Sequence, residues 1–369
     1  MSGYTPMIEQ YLQIKNQYQD AILFFRLGDF YEMFFEDAIK ASRELEIVLT
    51  SRDGGQEKVP MCGVPYHAVE NYLAKLVSKG HKVAICEQVE DPREARGVVK
   101  REVIRIVTPG SILEDIMLDE KRNNYLAAVI ESHICALAWA DISTGEFRVA
   151  EFSGKDGWPK LLSELQRLAP AECLVPEWSS LTPSGGDDQN WLDDITITID
   201  HEPISTDNAR RLLLQHFGVN SLEGFGLKDY SSGIQAAAVI IRFLQDKCKT
   251  RIDHLRSIST YSKGDYLEMD FSTRRNLELT VSLRENRREG SLLAILDGCL
   301  SAPGKRTLRR WIEQPLLDLE EIRLRQDGVE EILTDIELRE RLKKLLASVN
   351  DLERIAARIA PKWPVPAIW

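Results

Sequence analysis

The chain has 369 residues, of which 43% are hydrophobic and 28% are charged, and its formal net charge is −11. These proportions are those of an ordinary globular protein, and they exclude a collagenous, coiled-coil or wholly disordered chain. The length allows two or three domains of roughly 150 residues each, and no apolar run approaches the ~18 residues of a membrane span.

Residues 1–115 predict a mixed α/β domain, because apolar residues at helical spacing alternate with β-branched and aromatic runs. Helices are expected over 7–20, 37–49 and 69–80, and strands over 21–27, 81–88 and 101–107. Glycine, proline and charged residues dominate 51–68, which we expect to be a loop. The polar, acidic stretch 116–124 is expected to link this domain to the next.

Residues 125–245 predict a second α/β domain. Three strand-like runs lie between 125 and 152, and Ser143-Thr144-Gly145 is typical of a hairpin turn between two of them. Helix, strand and helix patterns follow, with a surface loop expected at 179–190 and Thr206 or Asp207 as the N-cap of a helix.

Residues 246–360 predict an all-α segment with short breaks. Helical patterns cover 276–300, 305–316, 319–335 and 337–360. The last nine residues, 361–369, carry three prolines and two tryptophans and do not continue this pattern. They are expected to be either a short irregular tail or the sign of a chain that ends inside a larger protein, and the unpartnered apolar helix faces favour the second.

The segment Gly28–Phe34 is the sharpest local motif. Gly28-Asp29 predicts a turn, and an extended backbone after it would place Phe30 and Glu32 on the same side. An exposed ring can stack on a nucleic-acid base for about 1–3 kcal/mol, and a carboxylate can accept a hydrogen bond from a base edge. The same residues also fit a core strand with a solvated glutamate at its rim, and spacing does not decide between the two.

Three blocks, 23–38, 59–92 and 99–111, resemble the N-terminal mismatch-binding domain of the MutS family of DNA mismatch-repair proteins, in the family's order and spacing. Residues 139–147 resemble the family's connector domain, which has an RNase H-like fold. Residues 271–316 resemble the start of its helical core, or lever, domain. The resemblance covers roughly residues 5–360.

The resemblance implies a multidomain fold of α/β and all-α parts. It implies a mixed α/β mismatch-binding domain at 1–115, a linker at 116–124, an RNase H-like connector at 125–245 and a helical core segment at 246–360, before the atypical tail.

The resemblance also implies a role for particular residues in binding mismatched DNA. In the family a Phe-x-Glu pair recognises the mismatch, and here it falls on Phe30 and Glu32. Phe30 would enter a kinked duplex from the minor groove and stack on a mispaired base, and Glu32 would hydrogen-bond the displaced base. Arg52, Arg101 and Arg105 are the candidate contacts to the DNA backbone.

The family couples mismatch binding to an ATPase, but this sequence has no GxxxxGK[ST] phosphate loop. The nearest match, Gly298–Arg306, has five residues between its glycines and an arginine where Ser or Thr should bind magnesium. We therefore expect no enzymatic activity and no cofactor in this chain; ATP and Mg²⁺ belong to the full-length family. The family's clamp segment is also not found.

The expected partners are double-stranded DNA with mismatches or small loops, a MutL-type protein bound through the connector, and, in the full-length family, a second copy of the chain. No membrane partner is expected. The scattered cysteines predict reduced thiols, and we expect a bacterial cytoplasmic, nucleoid-associated protein.

Two alternatives stay open. Net charge is −4 over residues 1–115, −9 over 116–245 and +2 over 246–369, so the acidic middle third suits docking to a partner protein better than holding phosphates. A metal-dependent nuclease would use Asp141 with Asp200 or Glu172, although such chemistry requires several clustered carboxylates.

Overall fold

The computed structural model describes residues 3–359, apart from 56, 91–96, 182–191, 193, 262, 263, 265 and 286. The chain forms two compact units: unit 1 comprises residues 1–118 and 241–252, and unit 2 comprises 119–240 and 253–369. Mixed α/β sheets with added helices confirm the predicted combination of α/β and helical parts. The predicted tail at 361–369 and most of the predicted loop at 179–190 lie outside the described residues.

Unit 1 is built around a six-stranded sheet with the order β3-β4-β2-β1-β5-β6. β1 pairs antiparallel with β2 and parallel with β5, and the remaining neighbours pair antiparallel. The strands are β1 (Ala21–Leu27), β2 (Phe30–Phe34), β3 (Thr50–Asp53), β4 (Lys58–Pro65), β5 (Lys82–Gln88) and β6 (Arg101–Val107). The helices are α1 (Pro6–Lys15), α2 (Phe35–Leu45) and α3 (Val69–Ser78), with single 3₁₀ turns at Tyr66–Ala68, Pro109–Ser111 and Asp115–Met117.

Apolar cores cover both faces of this sheet. On one face, α2 and α3 pack over strand residues that include Tyr31, Met33 and Cys62. On the other face, Ile8 and Tyr11 of α1 pack over strand residues that include Phe25 and Phe34. Burial on both faces explains the unbroken apolar run of β1, since a strand between two cores has no solvent-facing side.

The prediction of a loop over 51–68 is wrong. β3 and β4 occupy most of this segment, and β4 pairs with β2 on one side and with β3 on the other. Val59, Cys62 and Val64 are buried in the two cores, and their burial outweighs the unfavourable intrinsic preference of the glycines and prolines. The helix predicted to reach 49 ends at Leu45, because Glu46 takes a left-handed conformation with φ +58°.

Unit 2 contains a second six-stranded sheet, with the order β11-β10-β7-β8-β9-β12. Its strands are β7 (Leu126–Ile130), β8 (Cys135–Asp141), β9 (Glu146–Phe152), β10 (Glu172–Pro176), β11 (Thr196–Asp200) and β12 (Ser259–Thr260). The predicted hairpin turn at 143–145 is confirmed, since β8 and β9 pair antiparallel up to Asp141 and Glu146. The described residues include no helix that is both long and apolar enough to cross a membrane.

The helices after β9 are 5 to 16 residues long. They are α4 (Gly157–Leu168), α5 (Thr206–Phe217), α6 (Ser231–Arg242, continued as a π-helical turn over Phe243–Lys247), α7 (Phe271–Asn276), α8 (Leu292–Leu296), α9 (Ala302–Glu313), α10 (Leu319–Thr334), α11 (Ile336–Leu346) and α12 (Leu352–Ile359). The N-cap of α5 is Ser205, whose Oγ accepts a hydrogen bond from the Asn208 amide, so the prediction of Thr206 or Asp207 is wrong by one or two positions.

The helix predicted over 276–300 is wrong in its middle part. The chain is helical only at α7 and α8, and Glu278 has φ +48°, which ends the first of them. The Glu278 side chain accepts a hydrogen bond from the Leu283 amide, and Ser291 caps α8. Such side-chain bonds offer the backbone partners other than those of a continuous helix.

Asp37 is the buried polar centre of unit 1. Its carboxylate accepts hydrogen bonds from the Tyr11 hydroxyl at 2.9 Å and the Leu23 amide at 3.0 Å, and pairs with Lys15 Nζ at 2.9 Å. It therefore joins α1, β1 and α2 at one point.

We expect Asp37→Ala to destabilise unit 1 by about 3 kcal/mol, because it leaves buried donors and a cation without their acceptor. Amide hydrogen exchange should show roughly a hundredfold loss of protection in β1. The control is Asp20→Ala, which removes an exposed ion pair with Lys82 and should change protection little. Equal loss of protection in both variants would contradict this account.

Candidate nucleic-acid interface

The turn at Gly28-Asp29 sets the position of the predicted Phe-x-Glu pair. It joins β1 to β2 so that Leu27 faces Phe30 and Phe25 faces Glu32 across the ladder. Gly28 has φ +57°, a left-handed conformation in which glycine is at little disadvantage, and a Cβ built there would meet nothing within 4 Å. The backbone conformation, and not lack of space, therefore favours glycine here.

Phe30 and Glu32 lie on one face of β2, as the extended pattern predicts. Successive side chains of a strand alternate between faces, so Tyr31 and Met33 enter the core under α2 and α3. Phe30 stands at the start of the strand and is 45% exposed, whereas Phe34 on the same face is fully buried. The structure thus shows an exposed ring beside a carboxylate and does not place Phe30 in the core.

Gly63 completes this surface and was not singled out by its sequence. It pairs with Glu32 from β4, and a Cβ built on it would lie 3.5 Å from Glu32 Cγ and 3.8 Å from Phe30 Cδ1. A bare glycine therefore leaves open the space between the two side chains. Only the register between β2 and β4 reveals this, because nothing in a single glycine of a Gly-rich stretch marks it.

Glu32 is held by an arginine from the edge strand. Arg52 Nη1 lies 2.7 Å from Glu32 Oε2. Burial raises the pKa of Glu32, and the charge and hydrogen bond of Arg52 and the charge of Arg101 only partly oppose that rise. The carboxyl group can therefore exchange between accepting a hydrogen bond as the anion and donating one as the acid.

Arg101 and Arg105, both predicted to contact a DNA backbone, are buried. Arg101 donates to the carbonyl oxygens of Arg26 and Val99 and to Gln10 Oε1 at 2.7, 2.8 and 3.0 Å. Arg105 pairs with Glu114 and donates to the Ser111 carbonyl oxygen. Because these guanidinium groups are engaged inside the protein, the geometry does not support their assignment as phosphate contacts.

A second exposed aromatic residue lies next to Phe30. Tyr66 is 45% exposed, and its backbone amide donates to the Asp29 carbonyl at the turn, 2.9 Å away. The Arg26 guanidinium lies 4.0 Å from the centre of the Tyr66 ring. The stacked Arg26 and Tyr66 side chains extend the surface around Phe30. Neither residue was predicted from the sequence to belong to this surface.

The carboxylates of the nuclease alternative have structural partners. Asp141 is fully buried and accepts hydrogen bonds from Asn123 Nδ2, the Asn124 amide, and the amide and hydroxyl of Ser143, at 2.6 to 3.1 Å. These contacts fix the β8–β9 turn. The described part of the chain contains no cluster of three or more His, Cys, Asp or Glu side chains able to hold a metal ion. The geometry does not favour nuclease chemistry.

Comparison with known proteins gives three adjacent matches. Family models of MutS domain I, MutS domain II and MutS domain III match residues 5–116, 124–256 and 272–362. The chain is 58% identical over 364 residues to the DNA mismatch repair protein MutS of Syntrophomonas wolfei, covering 97% of this chain and 42% of that protein. It is 47% identical to the protein of the same name from Halothermothrix orenii, covering 98% of this chain and 40% of that protein. The chain spans about two fifths of the length of these curated relatives.

We expect Arg52→Gln to raise the pKa of Glu32 further, because it removes the largest of the interactions that oppose the effect of burial. The measurement is an NMR titration of the Glu32 side-chain carboxyl carbon. Lys58→Gln serves as the control, since Lys58 is exposed on β4 and does not contribute to the Glu32 shift. An unchanged or lowered pKa in Arg52→Gln would show that the ion pair does not control this group.

Proposed function

The chain belongs to the MutS family over the span of domains I, II and III, and from this premise we propose that it binds double-stranded DNA containing mismatches or small loops, in mismatch repair. The observation that carries the proposal is the exposed Phe30 ring beside Glu32 at the start of β2, within the segment that matches domain I. At a distorted base step, the protruding ring could stack on a base and the neighbouring carboxylate could hydrogen-bond a base edge.

Phe30 would act as an aromatic wedge from the minor groove. Insertion requires unstacking a base step, which costs a few kcal/mol on a matched duplex, and stacking on the ring returns about 1–3 kcal/mol per base. A mismatch has already lost part of its pairing and stacking, so the same kink costs less there. Discrimination would therefore come largely from the deformability of the DNA.

Glu32 would contact the displaced base. The raised pKa of its carboxyl group allows it to donate a hydrogen bond to a base acceptor, and the anion allows it to accept one from a base donor. On a matched duplex no displaced base edge is offered, and a carboxylate close to phosphates is then unfavourable. Arg52, which is 42% exposed at its side chain, would stay with Glu32 or turn to a phosphate oxygen.

The remaining parts of the chain are proposed to carry the family's connecting functions. We take 125–245 as the RNase H-like connector, which would dock a MutL-type partner, and 246–360 as the start of the helical core domain, after a linker at 116–124. We propose that this chain hydrolyses no ATP, because its sequence lacks a phosphate loop. ATP, Mg²⁺ and the homodimer would belong to the longer relatives.

We expect Phe30→Ala to abolish the preference for mismatched DNA and to leave weak, salt-dependent binding to any duplex. Loss of one stacked ring should weaken binding to a mismatch by about tenfold or more. Fluorescence anisotropy with a G·T or single-base-bulge duplex against a matched duplex, at two salt concentrations, measures this directly.

The matched control is Trp178→Ala, which removes a 65% exposed aromatic side chain from unit 2 and should leave the preference intact. Equal preference in Phe30→Ala and the parent chain would refute the role of Phe30. No preference in a parent chain that circular dichroism shows to be folded would refute mismatch binding by this chain and favour a partner-docking function.

The preference for a mismatch that offers a base acceptor to Glu32 should fall as pH rises through the raised pKa of this group, since the acid form donates the hydrogen bond. Glu32→Gln always carries a donor, so it should bind with little pH dependence over the same range. Asp53→Asn, at an exposed carboxyl group on the edge strand β3, should keep the parent's pH profile. If Glu32→Gln and the parent had the same pH profile, the preference would not depend on protonation of the Glu32 carboxyl group.

A further inference from the structure

Six arginines line a solvent-open depression within unit 2. They are Arg122, Arg148, Arg167, Arg306, Arg309 and Arg310. The space inside the depression, counted out to bulk solvent, is about 600 Å³. None of these arginines belongs to the interface proposed for mismatched DNA.

Two carboxylates in the lining are shared among several of these arginines. Glu146 lies 2.9 Å from Arg148 and 3.4 Å from Arg310. Glu313 lies 2.9 Å from Arg309, and Arg167 reaches it at 3.8 Å. Each of these carboxylates is therefore shared between two arginines.

Arg167 and Arg306 have further acidic partners behind the lining. Arg167 pairs at 2.5 Å with Glu164, which is almost fully buried. Arg306 makes a two-pronged contact with Asp351 at 2.7 and 2.8 Å and also pairs with Glu353. These two arginines are neutralised by the protein itself.

Arg122 differs from the other five. No ion pair or side-chain hydrogen bond joins it to another described residue. Desolvation by the surrounding protein lowers the pKa of its guanidinium group and the charge of Arg309 lowers it further, whereas the charges of Asp119, Glu313 and Asp194 oppose this shift. Within the lining, Arg122, Arg148, Arg309 and Arg310 face the carboxylates of Glu146 and Glu313, whereas Asp119 and Asp194 act on Arg122 from outside the lining.

We propose that this depression binds a phosphate group of a small molecule, either free pyrophosphate or the terminal phosphate of a nucleotide. A phosphate group would give Arg122 an acceptor, and the planar fork of a guanidinium group matches two phosphate oxygens. Trp139 in the lining is only 1% exposed, and the hydroxyl of Tyr125, also in the lining, donates to Glu146 Oε2 at 3.1 Å, so we take the phosphate and not a base as the recognised part.

A DNA backbone fits this depression less well. Residues 116–245, which supply part of the lining, carry a net charge of −9, and a long polyanion would meet that charge over its whole length. A small anion meets only the lining of the depression, which holds six arginines and the two carboxylates of Glu146 and Glu313.

The test is isothermal titration calorimetry of the full chain with pyrophosphate, at constant ionic strength set with chloride. One saturable site is expected. Arg122→Gln and Arg310→Gln should each weaken it by about tenfold or more, since each removes a charge-assisted hydrogen-bond donor. Arg310→Gln should still fold because Glu146 retains its ion pair with Arg148. Circular dichroism checks the folding of both variants.

Arg341→Gln is the matched control, because Arg341 is an exposed arginine of the same unit outside the depression. Its binding should equal the parent's. Binding of AMP with the same dependence on Arg122 would support the site with a nucleotide as the source, and binding of pyrophosphate without AMP would support it with the free anion. Absence of saturable binding, equal loss in Arg341→Gln, or displacement of pyrophosphate by matched duplex DNA would overturn the proposal.

Discussion

Strand β2 lies between β1 and β4, and its two ladders commit each of its residues to one face of the sheet. Tyr31 and Met33 are buried under α2 and α3, so Phe30 and Glu32 must face the other way. A register slip of one residue would expose Met33 and bury the Glu32 carboxylate. The position of the candidate DNA-contacting residues is therefore fixed by the packing of the core directly behind them, and not by a separate loop.

Arginine has contrasting roles in the two units. In unit 1, Arg101 donates hydrogen bonds to carbonyl oxygens and Arg105 forms an ion pair with Glu114. Arg52 forms an ion pair with Glu32. In the lining of the depression of unit 2, six arginines stand beside two carboxylates, those of Glu146 and Glu313. The net charge of a segment thus says little about where a small anion binds, although it acts on a long polyanion. What decides is whether the nearby acceptors already satisfy each guanidinium group.

Much of the fold follows from local periodicity. The strands at β1, β5 and β6 and the hairpin of β8 and β9 were predictable, because alternation and turn residues act over a few neighbours. The segment 51–68 was not, since Val64 and Val59 become strand residues only by pairing with Tyr31 of β2 and Arg52 of β3. The interruption at 277–291 also escaped prediction, because its turn depends on the Glu278 side chain bonding the Leu283 amide.

The sequence by itself determined the family resemblance, the Gly28-Asp29 turn and the placement of Phe30 and Glu32 two residues apart, since a strand repeats every two residues. Only the tertiary structure decided that Phe30 is exposed, that Gly63 leaves space beside Glu32, and that Arg101 and Arg105 are enclosed. It also brought Arg122 to the arginines of α9, far along the chain. Exposure and ion pairing depend on which distant segments pack together, and a linear pattern does not contain that information.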